Sequence, residues 1–478
     1  MHNEQVFTPE HVVDTMFEGL EYKGNKIRKK HIIDNSCGNG AILKKVVRTY
    51  INVCIMDGLS KEETIKELET YIHGIEIDGN LVKETVKSLD KIAEEYSLTD
   101  INWDIMCADA MFVREYDNKM DYVIGNPPYC NIHDIPKEKR EFVKQYNFAK
   151  GGMTDMYLVF FEIGINMLNE NGKLVYITPN SWLNSMAGTN FRNYLKETKT
   201  LLEIYQYGHK KVFDKINTYT CITILSKAPK SNNLFICYRT LDNEKIIQSR
   251  ENLDDCMIDG KIYLVDKHML TLLHEIHEFS QITNKNKIRV KNGFATLNDK
   301  FFIIDDYVEK HGLTDNIIEV TKASNGEKHY FFYPYDKEGN PITLLDIDEK
   351  LVEYMRDKSF DCNVDLENCA WYLYGRSQAI RDVKYNKIAI NNLIRNVDDI
   401  IMDLLINIDD KQEGVYSGYY IPVYENYNGN FMSILRTIKT QNFVDYIKAV
   451  GKYKNGGYYT FSSKELELWL NFHKKVKH

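Results

Sequence analysis

Residues 31–50 read HIIDNSCGNGAILKKVVRTY, and this stretch decides the fold. It opens with a short apolar run, 31–35, that ends in a turn containing Gly38 and Gly40. Beyond the turn, apolar residues recur at helical spacing, namely Ile42, Leu43, Val46, Val47 and Tyr50. The stretch therefore predicts a strand, a glycine-containing loop and a helix, whose N-terminus offers unpaired donors to a ligand that approaches the loop.

The alternation of strand and helix patterns continues through the first 230 residues. Strand-like segments are 71–77, 104–107, 121–125, 173–178, 201–207 and 220–225, and helix-like segments are 80–96 and 155–168. This alternation predicts an α/β domain with a largely parallel sheet. The last two strand-like segments are too close in sequence for a helical crossover, so we expect them to pair antiparallel.

A short polar patch at residues 228–233 marks the predicted domain boundary. We therefore divide the chain into residues 1–230 and residues 231–478, because 478 residues exceed one typical domain. After the boundary, strand and helix patterns are mixed with loops rich in Tyr and Asn.

The composition limits the class of protein. The net charge of −8 does not by itself favour nucleic acid, although a local basic cleft is enough to bind it. The nine cysteines include no CxxC pair, which disfavours a zinc site and fits a reducing cytoplasm. No run approaches the roughly 18 apolar residues of a membrane span, and the N-terminus lacks the pattern of a secretion signal. We expect a cytoplasmic protein without a metal site.

The strongest chemical motif is the segment 121–129, DYVIGNPPY, in which a strand runs into Asn126-Pro127-Pro128-Tyr129. Ligands of open parallel sheets bind just beyond the carboxyl ends of the strands. The side-chain oxygen of Asn126 and the carbonyl of Pro127 are suited to accept hydrogens from a planar amino group, and Tyr129 is suited to stack on a flat base. The alternative is an ordinary Pro-Pro turn.

Three acidic residues follow the neighbouring strands. Glu76 ends a strand at the position where an acid commonly binds ribose hydroxyls. Asp78 fits a helix N-cap better. Asp109 follows the third strand and is placed to bind an adenine amino group, with helix capping as the alternative.

The order of these motifs resembles the gamma-type adenine-specific DNA methyltransferases of restriction–modification systems. The resemblance implies a Rossmann-like catalytic domain with a seven-stranded mixed sheet, followed by a mixed α/β target recognition domain. It implies S-adenosylmethionine as cofactor, held by Thr8, Asp34, Ser36, Cys37, Gly38, Gly40, Glu76, Ile77, Asp109 and Asn126. Thr8 would hold the methionine carboxylate and Asp34 the methionine amine. Ala110 departs from the bulky residue of the family, so cofactor stacking falls to Met111, Phe112 or Ile77.

The resemblance also assigns the target base. Residues 126–129 match the catalytic tetrapeptide in full, and Phe213 falls where an aromatic packs against the extruded adenine opposite Tyr129. An ordinary core phenylalanine is the alternative for Phe213. The implied reaction is direct methyl transfer to a flipped-out adenine, without a metal or a covalent intermediate.

Residues 231–478 resemble the recognition domains of the family only loosely. Basic residues that we interpret as contacts to the DNA backbone are Lys210, Lys211, Arg289, Lys291, Lys452 and Lys454. For each of them the alternative is a solvated surface position.

We therefore predict a monomeric, site-specific adenine methyltransferase that acts on duplex DNA. Methylation of RNA adenine or of a protein glutamine amide is the alternative, because those substrates also present a planar amino group. The Phe7-Thr8-Pro9 motif and the long C-terminal region favour DNA. We find no convincing nuclease pattern, so a cognate endonuclease would be a separate protein, and a solitary methylase is the other possibility.

Overall fold

The computed structural model divides into two compact units, Met1–Leu264 and Val265–His478. It describes residues 8–150, 154–208, 212–213, 219–228, 232–240, 245–282, 287–407, 412–423 and 427–476. No helix among these residues has both the length and the apolar character that a bilayer crossing requires.

The first unit is built on a nine-stranded sheet. Its strands are β1 (Ile32–Asp34), β2 (Ile72–Glu76), β3 (Asp104–Cys107), β4 (Met120–Gly125), β5 (Leu168–Pro179), β6 (Leu201–Gln206), β7 (Thr220–Ser226), β8 (Leu234–Thr240) and β9 (Ile246–Asn252). A separate two-stranded sheet contains β10 (Met257–Ile258) and β11 (Lys261–Ile262). The helices are α1 (Glu10–Leu20), α2 (Ala41–Met56), α3 (Lys61–Tyr71), α4 (Gly79–Glu95), α5 (Lys137–Val143), α6 (Met156–Met167), α7 (Thr189–Thr198) and α8 (Leu253–Cys256).

The strand order is β3-β2-β1-β4-β5-β7-β6-β8-β9. Strands β3, β2, β1, β4 and β5 are mutually parallel. Strand β7 runs antiparallel to both β5 and β6, which confirms the antiparallel pairing predicted from the short connection. The α/β class is confirmed, and its parallel half places the carboxyl ends of neighbouring strands at one edge.

The sheet has two more strands than the seven we expected. Strand β8 adds in parallel to β6, and β9 pairs antiparallel with β8. The polar patch that we took as a domain boundary therefore lies in a connection within one sheet, and the first unit extends to Leu264 rather than to residue 230. A polar loop looks alike in sequence whether it joins two strands or two domains, because only long-range pairing distinguishes them.

Burial on both faces explains the apolar character of the central strands. All three residues of β1 and all five of β2 are buried, as expected for parallel strands covered by helices on both faces. Helix α6 is apolar around most of its circumference, with ten of its twelve residues buried. Helices α1, α2 and α4 contribute their apolar stripes to one continuous core with β1 and β2.

The second unit contains three small sheets and a group of helices. Its strands are β12 (Lys291–Asn292), β13 (Ile317–Lys322), β14 (Lys328–Phe332), β15 (Lys387–Ile390), β16 (Leu393–Ile394), β17 (Met402–Leu405), β18 (Glu413–Tyr416), β19 (Tyr419–Pro422), β20 (Lys452–Lys454) and β21 (Tyr458–Thr460). Its helices are α9 (Lys267–Gln281), α10 (Asp299–Phe302), α11 (Asp305–His311), α12 (Glu349–Asp361), α13 (Tyr427–Ile438), α14 (Gln441–Val450) and α15 (Ser463–Val476). The sheets have the orders β12-β19-β15-β17, β14-β13-β18 and β16-β21-β20. This arrangement agrees with the mixed α/β character predicted for the C-terminal region.

An ion-pair network ties the chain before β1 to helices α2 and α3. The Arg28 guanidinium contacts Asp57 at 2.9 Å and Glu67 at 2.6 Å, and the Tyr50 hydroxyl also donates to Glu67 at 2.9 Å. The side chains of Asp57 and Glu67 are only 17% and 12% exposed. Removing the cation would leave two shielded carboxylates without their ion-pair partner.

We expect Arg28→Ala to lower the free energy of unfolding by about 2–3 kcal/mol, somewhat less than the roughly 3–5 kcal/mol of a fully buried pair. Chemical denaturation of the full chain measures this loss. The matched control is Arg48→Ala, whose partner Glu95 lies on the surface, and it should have a much smaller effect. Equal losses in the two variants would contradict the interpretation.

Candidate active site

The site begins where β1 and β4 lie side by side. The two strands are parallel, with Asp34 opposite Ile124, so the loop after β1 and the segment after β4 emerge at the same edge of the sheet. A Cβ atom at Gly125 would lie 3.2 Å from Asp34 Oδ1 and 3.4 Å from Ser36 Oγ. The absence of a side chain at position 125 therefore permits this close approach.

The loop after β1 has a backbone that favours glycine. Gly38 and Gly40 have φ values of 53° and 78°, in the left-handed region. The Thr85 hydroxyl of α4 donates to the Gly38 carbonyl at 2.8 Å, and the Cys37 amide donates to the Ile75 carbonyl at 2.9 Å. These bonds anchor the loop to β2 and α4, and α2 starts directly after Gly40.

Glu76 is held at the end of β2 by two backbone amides. Its carboxylate accepts from Gly38 at 2.9 Å and from Asp78 at 3.0 Å. Asp78 caps α4 by accepting from the Asn80 amide at 2.8 Å, which confirms the predicted N-cap. Glu76 thus connects the glycine loop to the second strand.

Asp34 is buried and accepts the Ser36 amide at 3.1 Å. Burial raises the pKa of Asp34 to about 8, and the nearby Glu76 carboxylate adds to the increase. A carboxyl group in such a position favours a ligand that brings a positive charge, because the cation stabilises its ionised form.

Asp109 makes two contacts at the end of β3. One carboxylate oxygen accepts from the Met111 amide at 3.1 Å, in agreement with the capping alternative, and the other contacts Lys139 Nζ at 2.8 Å. Sequence reasoning did not identify Lys139, because it lies 30 residues after Asp109 and belongs to no motif. A cofactor adenine at Asp109 would have to share this carboxylate with Lys139.

The three residues considered for cofactor stacking differ in exposure. Met111 is 3% exposed and belongs to the core, whereas Ile77 is 60% exposed and Phe112 is 55% exposed. Ile77 follows Glu76 directly, and Phe112 packs against Phe142 with ring centroids 4.5 Å apart. Ile77 and Phe112 therefore present apolar surface to an aromatic ligand, and Met111 does not.

Asn126 connects the tetrapeptide to the N-terminal motif. Its amide nitrogen donates to Thr8 Oγ1 at 3.2 Å, across a separation of 118 residues. Pro127 is buried and Pro128 is exposed. The contact fixes the amide plane of Asn126 and orients its Oδ1 branch away from Thr8.

Tyr129 and Phe213 form an aromatic pair. Their ring centroids are 6.1 Å apart with an interplanar angle of 70°, and the Tyr129 hydroxyl donates to the Ile177 carbonyl at 3.2 Å. Phe213 is only 3% exposed and is part of the core. The structure therefore brings together the two rings that the sequence assigned to the target base, and it also gives Phe213 a packing role.

The loop after β1 suits a polar ligand. In the described part of the chain, Ser36 Oγ and Asn39 Oδ1 are buried without a hydrogen-bond partner. A Cβ atom at Gly38 would meet nothing within 4 Å, so the backbone there borders open space. Unsatisfied buried groups beside open space fit a bound molecule that carries donors and acceptors.

The predicted DNA-backbone residues fall into three groups. Lys210 and Lys211 lie outside the described residues. Lys452 and Lys454 are exposed on β20, and neither forms an ion pair with any residue that the structure describes.

The third group consists of two cations that have carboxylate partners. Arg289 contacts Glu467 at 3.2 Å, and Lys291 contacts Asp382 at 2.6 Å. Their side chains remain 69% and 45% exposed. A phosphate would have to compete with a carboxylate at both positions.

Residues 44–213 match the family described as Eco57I restriction-modification methylase. The type II restriction enzyme and methyltransferase RM.Eco57I of Escherichia coli is 26% identical over 356 residues, which cover 63% of this chain and 35% of that protein. The type II methyltransferase M.AccI of Acinetobacter calcoaceticus is 33% identical over 135 residues, 28% of this chain and 25% of that protein. The type II methyltransferase M.HincII of Haemophilus influenzae is 22% identical, with 99% of this chain and 85% of that protein covered.

Two solved structures share the fold. The type IIL restriction-modification enzyme MmeI, in complex with DNA, superposes with a TM-score of 0.61 at 13% identity and covers 94% of this chain and 65% of that chain. A nuclease-deletion mutant of the type ISP restriction-modification enzyme LlaGI, in complex with a DNA substrate mimic, superposes with a TM-score of 0.58 at 14% identity. The superposition covers 98% of this chain and 46% of that chain. The chain spans about a third of the length of RM.Eco57I and a quarter of M.AccI. The family match and these relatives show that the chain is similar to the methyltransferases of restriction–modification systems.

Proposed function

We propose that this protein transfers a methyl group from S-adenosylmethionine to the exocyclic 6-amino group of an adenine in duplex DNA. The observation that carries the proposal is the position of Asn126–Tyr129, which leaves β4 directly beside the loop after β1. A planar amino group held at the tetrapeptide would lie next to a ligand of the loop. The relatives named as type II methyltransferases support the same reaction class.

The loop residues fit S-adenosylmethionine, the cofactor that the fold and the relatives imply. Asp34 would hold the ammonium of the methionine part and Glu76 the ribose hydroxyls, while Ile77 and Phe112 offer apolar surface to the adenine ring. When bound, the cofactor supplies an electrophilic methyl group on a sulfonium. The contact of Thr8 with Asn126 supports the role that its motif implies, in which Thr8 would hold the methionine carboxylate.

Asn126 and Pro127 would activate the target amine. The lone pair of an adenine amino group is conjugated into the ring, so the group is a poor nucleophile. Two acceptors, the Asn126 side-chain oxygen and the Pro127 carbonyl, favour a more tetrahedral nitrogen and stabilise the transition state more than the ground state. Fixing the amine in line with the methyl group contributes further, because it removes orientational freedom before the reaction.

Tyr129 would hold the extruded base. An adenine inside a duplex must be flipped out at a cost of a few kcal/mol, and stacking on an aromatic ring returns about 1–3 kcal/mol. The hydroxyl bond to Ile177 fixes the ring of Tyr129, and Phe213 supports its edge.

The second unit is proposed as the target recognition domain, and the enzyme as a monomer. A restriction–modification system would pair the methylase with an endonuclease of the same specificity. RNA adenine and protein glutamine amides remain the competing substrates, since they present the same planar amine. The second compact unit and the relatives named as restriction–modification enzymes favour DNA.

The first test incubates the protein with labelled S-adenosylmethionine and unmethylated genomic DNA, RNA or protein, followed by identification of the labelled product. We expect labelled deoxy-6-methyladenosine from DNA. Asn126→Ala should lower kcat by about 100-fold to 1000-fold, because it removes one of the two acceptors, and should retain most of the cofactor affinity, because the residues of the loop after β1 remain. The matched control is the exposed Asn184→Ala, which should retain wild-type turnover. Label in RNA or protein alone, or full activity of Asn126→Ala, would contradict the proposal.

Cofactor affinity should depend on pH through Asp34. Its pKa of about 8 means that the ligand-free carboxyl is mostly protonated at neutral pH, and the arriving ammonium favours the ionised form. Binding should therefore release a proton, and the affinity should rise by up to about tenfold per pH unit between about pH 6 and 7.5. Calorimetry in buffers of different ionisation enthalpy measures the proton release. The Asp34→Asn variant should bind the cofactor weakly and without this pH dependence, whereas the variant of the exposed Asp100, Asp100→Asn, should retain it. Proton release on cofactor binding to Asp34→Asn would contradict the assignment of the pH dependence to Asp34.

The ring of Tyr129, rather than its hydroxyl, should support base extrusion. Tyr129→Ala should reduce kcat/KM about fivefold to a hundredfold, in line with a stacking contribution of about 1–3 kcal/mol. Tyr129→Phe keeps the ring and loses only the bond to the Ile177 carbonyl, so it should stay within a few-fold of wild type. Fluorescence of 2-aminopurine at the target position reports extrusion directly. An equal defect in both variants would assign the effect to the hydroxyl.

A further inference from the structure

One face of the three-stranded sheet β16-β21-β20 carries basic side chains. Cross-strand partners share a face, and the register pairs Lys452 with Thr460 and Lys454 with Tyr458. Both lysines are exposed. The alternate pair, Tyr453 with Tyr459, faces the other side, where Tyr459 is buried. We call the side that carries Lys452, Lys454 and Tyr458 the outer face.

Arg395 lies on this outer face, stacked on Tyr458. The centre of its guanidinium is 4.8 Å from the centroid of the Tyr458 ring, a cation–π contact. Its Nε also contacts Asp399 Oδ2 at 3.4 Å. The same carboxylate oxygen accepts from the Arg395 amide at 2.9 Å and the Asn396 amide at 3.2 Å. Asp399 therefore contacts both the backbone and the side chain of Arg395.

These contacts leave the terminal fork of the guanidinium exposed. The Arg395 side chain is 49% exposed, and within the described residues its two Nη atoms have no hydrogen-bond partner. An exposed arginine ordinarily samples many rotamers, and ordering it on binding opposes affinity. Stacking and the Nε contact restrict those rotamers beforehand, so the plane and direction of the fork are set before a ligand arrives.

A tight turn supports the arrangement. Gly456 and Gly457 both have left-handed φ values, 78° and 83°, and the Gly457 amide donates to the Tyr453 hydroxyl at 3.1 Å. A Cβ atom at Gly457 would lie 3.5 Å from Arg395 Cδ. The turn therefore packs against the aliphatic part of the arginine and brings β20 beside it.

We propose that Arg395 recognises a guanine of the target sequence in the major groove, and that Lys452 and Lys454 contact neighbouring phosphates. This inference rests on the proposed action on duplex DNA. Guanine presents two acceptors, O6 and N7, at the spacing of the arginine fork, and a fork held in one plane suits this pair of acceptors. A phosphate also accepts the fork in bidentate fashion, but it carries no base identity, so a preference for guanine distinguishes the two ligands. Tyr458 and Asp399 are positioning residues that fix the plane of the fork.

The loss of discrimination at a single base pair distinguishes base recognition from attraction to phosphates, so base preference is the deciding readout for the variants of Arg395. Arg395→Lys keeps the positive charge and loses the bidentate geometry. We expect Arg395→Lys and Arg395→Ala to lose about tenfold to a hundredfold of discrimination at one G·C pair of the recognition sequence. Lys452→Ala and Lys454→Ala should instead weaken binding to all sequences alike. Each should also reduce the number of ions released on binding, measured from the salt dependence of the affinity, by about one. The matched control is the exposed Arg356→Ala, on α12 of the same unit.

Two readouts of the full-length protein test this. Selection of bound duplexes from a randomised pool, with S-adenosylmethionine present, gives the base preference, and sequencing of methylated sites in genomic DNA gives the specificity of the reaction. Thermal melting of each variant separates loss of folding from loss of recognition. Tyr458→Leu, which removes the stacked ring and keeps the arginine, should give an intermediate loss at the same G·C pair.

The inference is overturned if Arg395→Lys keeps wild-type discrimination, if Arg395→Ala weakens every sequence equally, or if the wild-type selection contains no preferred guanine. Its failure is separable from failure of the proposed function. A wild-type protein that selects a guanine-containing duplex through Arg395 and transfers no methyl group to it would reject the methylation and retain this inference. If the wild-type protein methylates adenine and the Arg395→Ala variant does so with unchanged specificity, this inference is rejected and the proposed function is retained.

Discussion

The parallel pairing of β1 with β4 is the constraint on which the rest of the site depends. It sets the ends of two strands next to each other, and the missing side chain of Gly125 lets the second strand approach Asp34 and Ser36 closely. The glycine loop and the tetrapeptide that starts at Asn126 are thereby neighbours, although about ninety residues of chain separate them. A methyl donor and a methyl acceptor must lie in contact and in line, so this pairing supplies the geometry of the proposed reaction.

Three carboxylates surround this edge of the sheet, and each is compensated differently. Glu76 accepts two backbone amides, and Asp109 contacts both an amide and Lys139. Asp34 accepts one amide and is fully buried, so burial raises its pKa. Among the residues that the structure describes, Asp34 is therefore the least compensated of the three carboxyl groups, with a single amide donor and no cation in contact. In the proposed function, this arrangement gives up some folding stability and favours binding of the positively charged methionine part of the cofactor.

In the second unit, neighbouring contacts also orient a charged side chain, and this one lies on the surface. Arg395 is held by an aromatic ring and a carboxylate, so its fork is ordered without being covered. Arg289 and Lys291 have carboxylates as their partners, whereas Lys452 and Lys454 form no ion pair with any described residue. The net charge of −8 therefore says little about this face, because recognition depends on where the cations stand and which contacts orient them.

The sequence by itself determined the α/β class, the βα unit around Gly38 and Gly40, the N-cap at Asp78 and the antiparallel pairing of the last predicted strands, because local periodicity, turn chemistry and connection length govern these features. It did not determine the nine-strand extent of the sheet, since β8 joins through pairing with β6, a strand distant in sequence. Nor did it reveal the contact of Lys139 with Asp109, or the stacking of Arg395 on Tyr458. These contacts join residues far apart in the chain, and only the packed tertiary structure brings such residues within bonding distance.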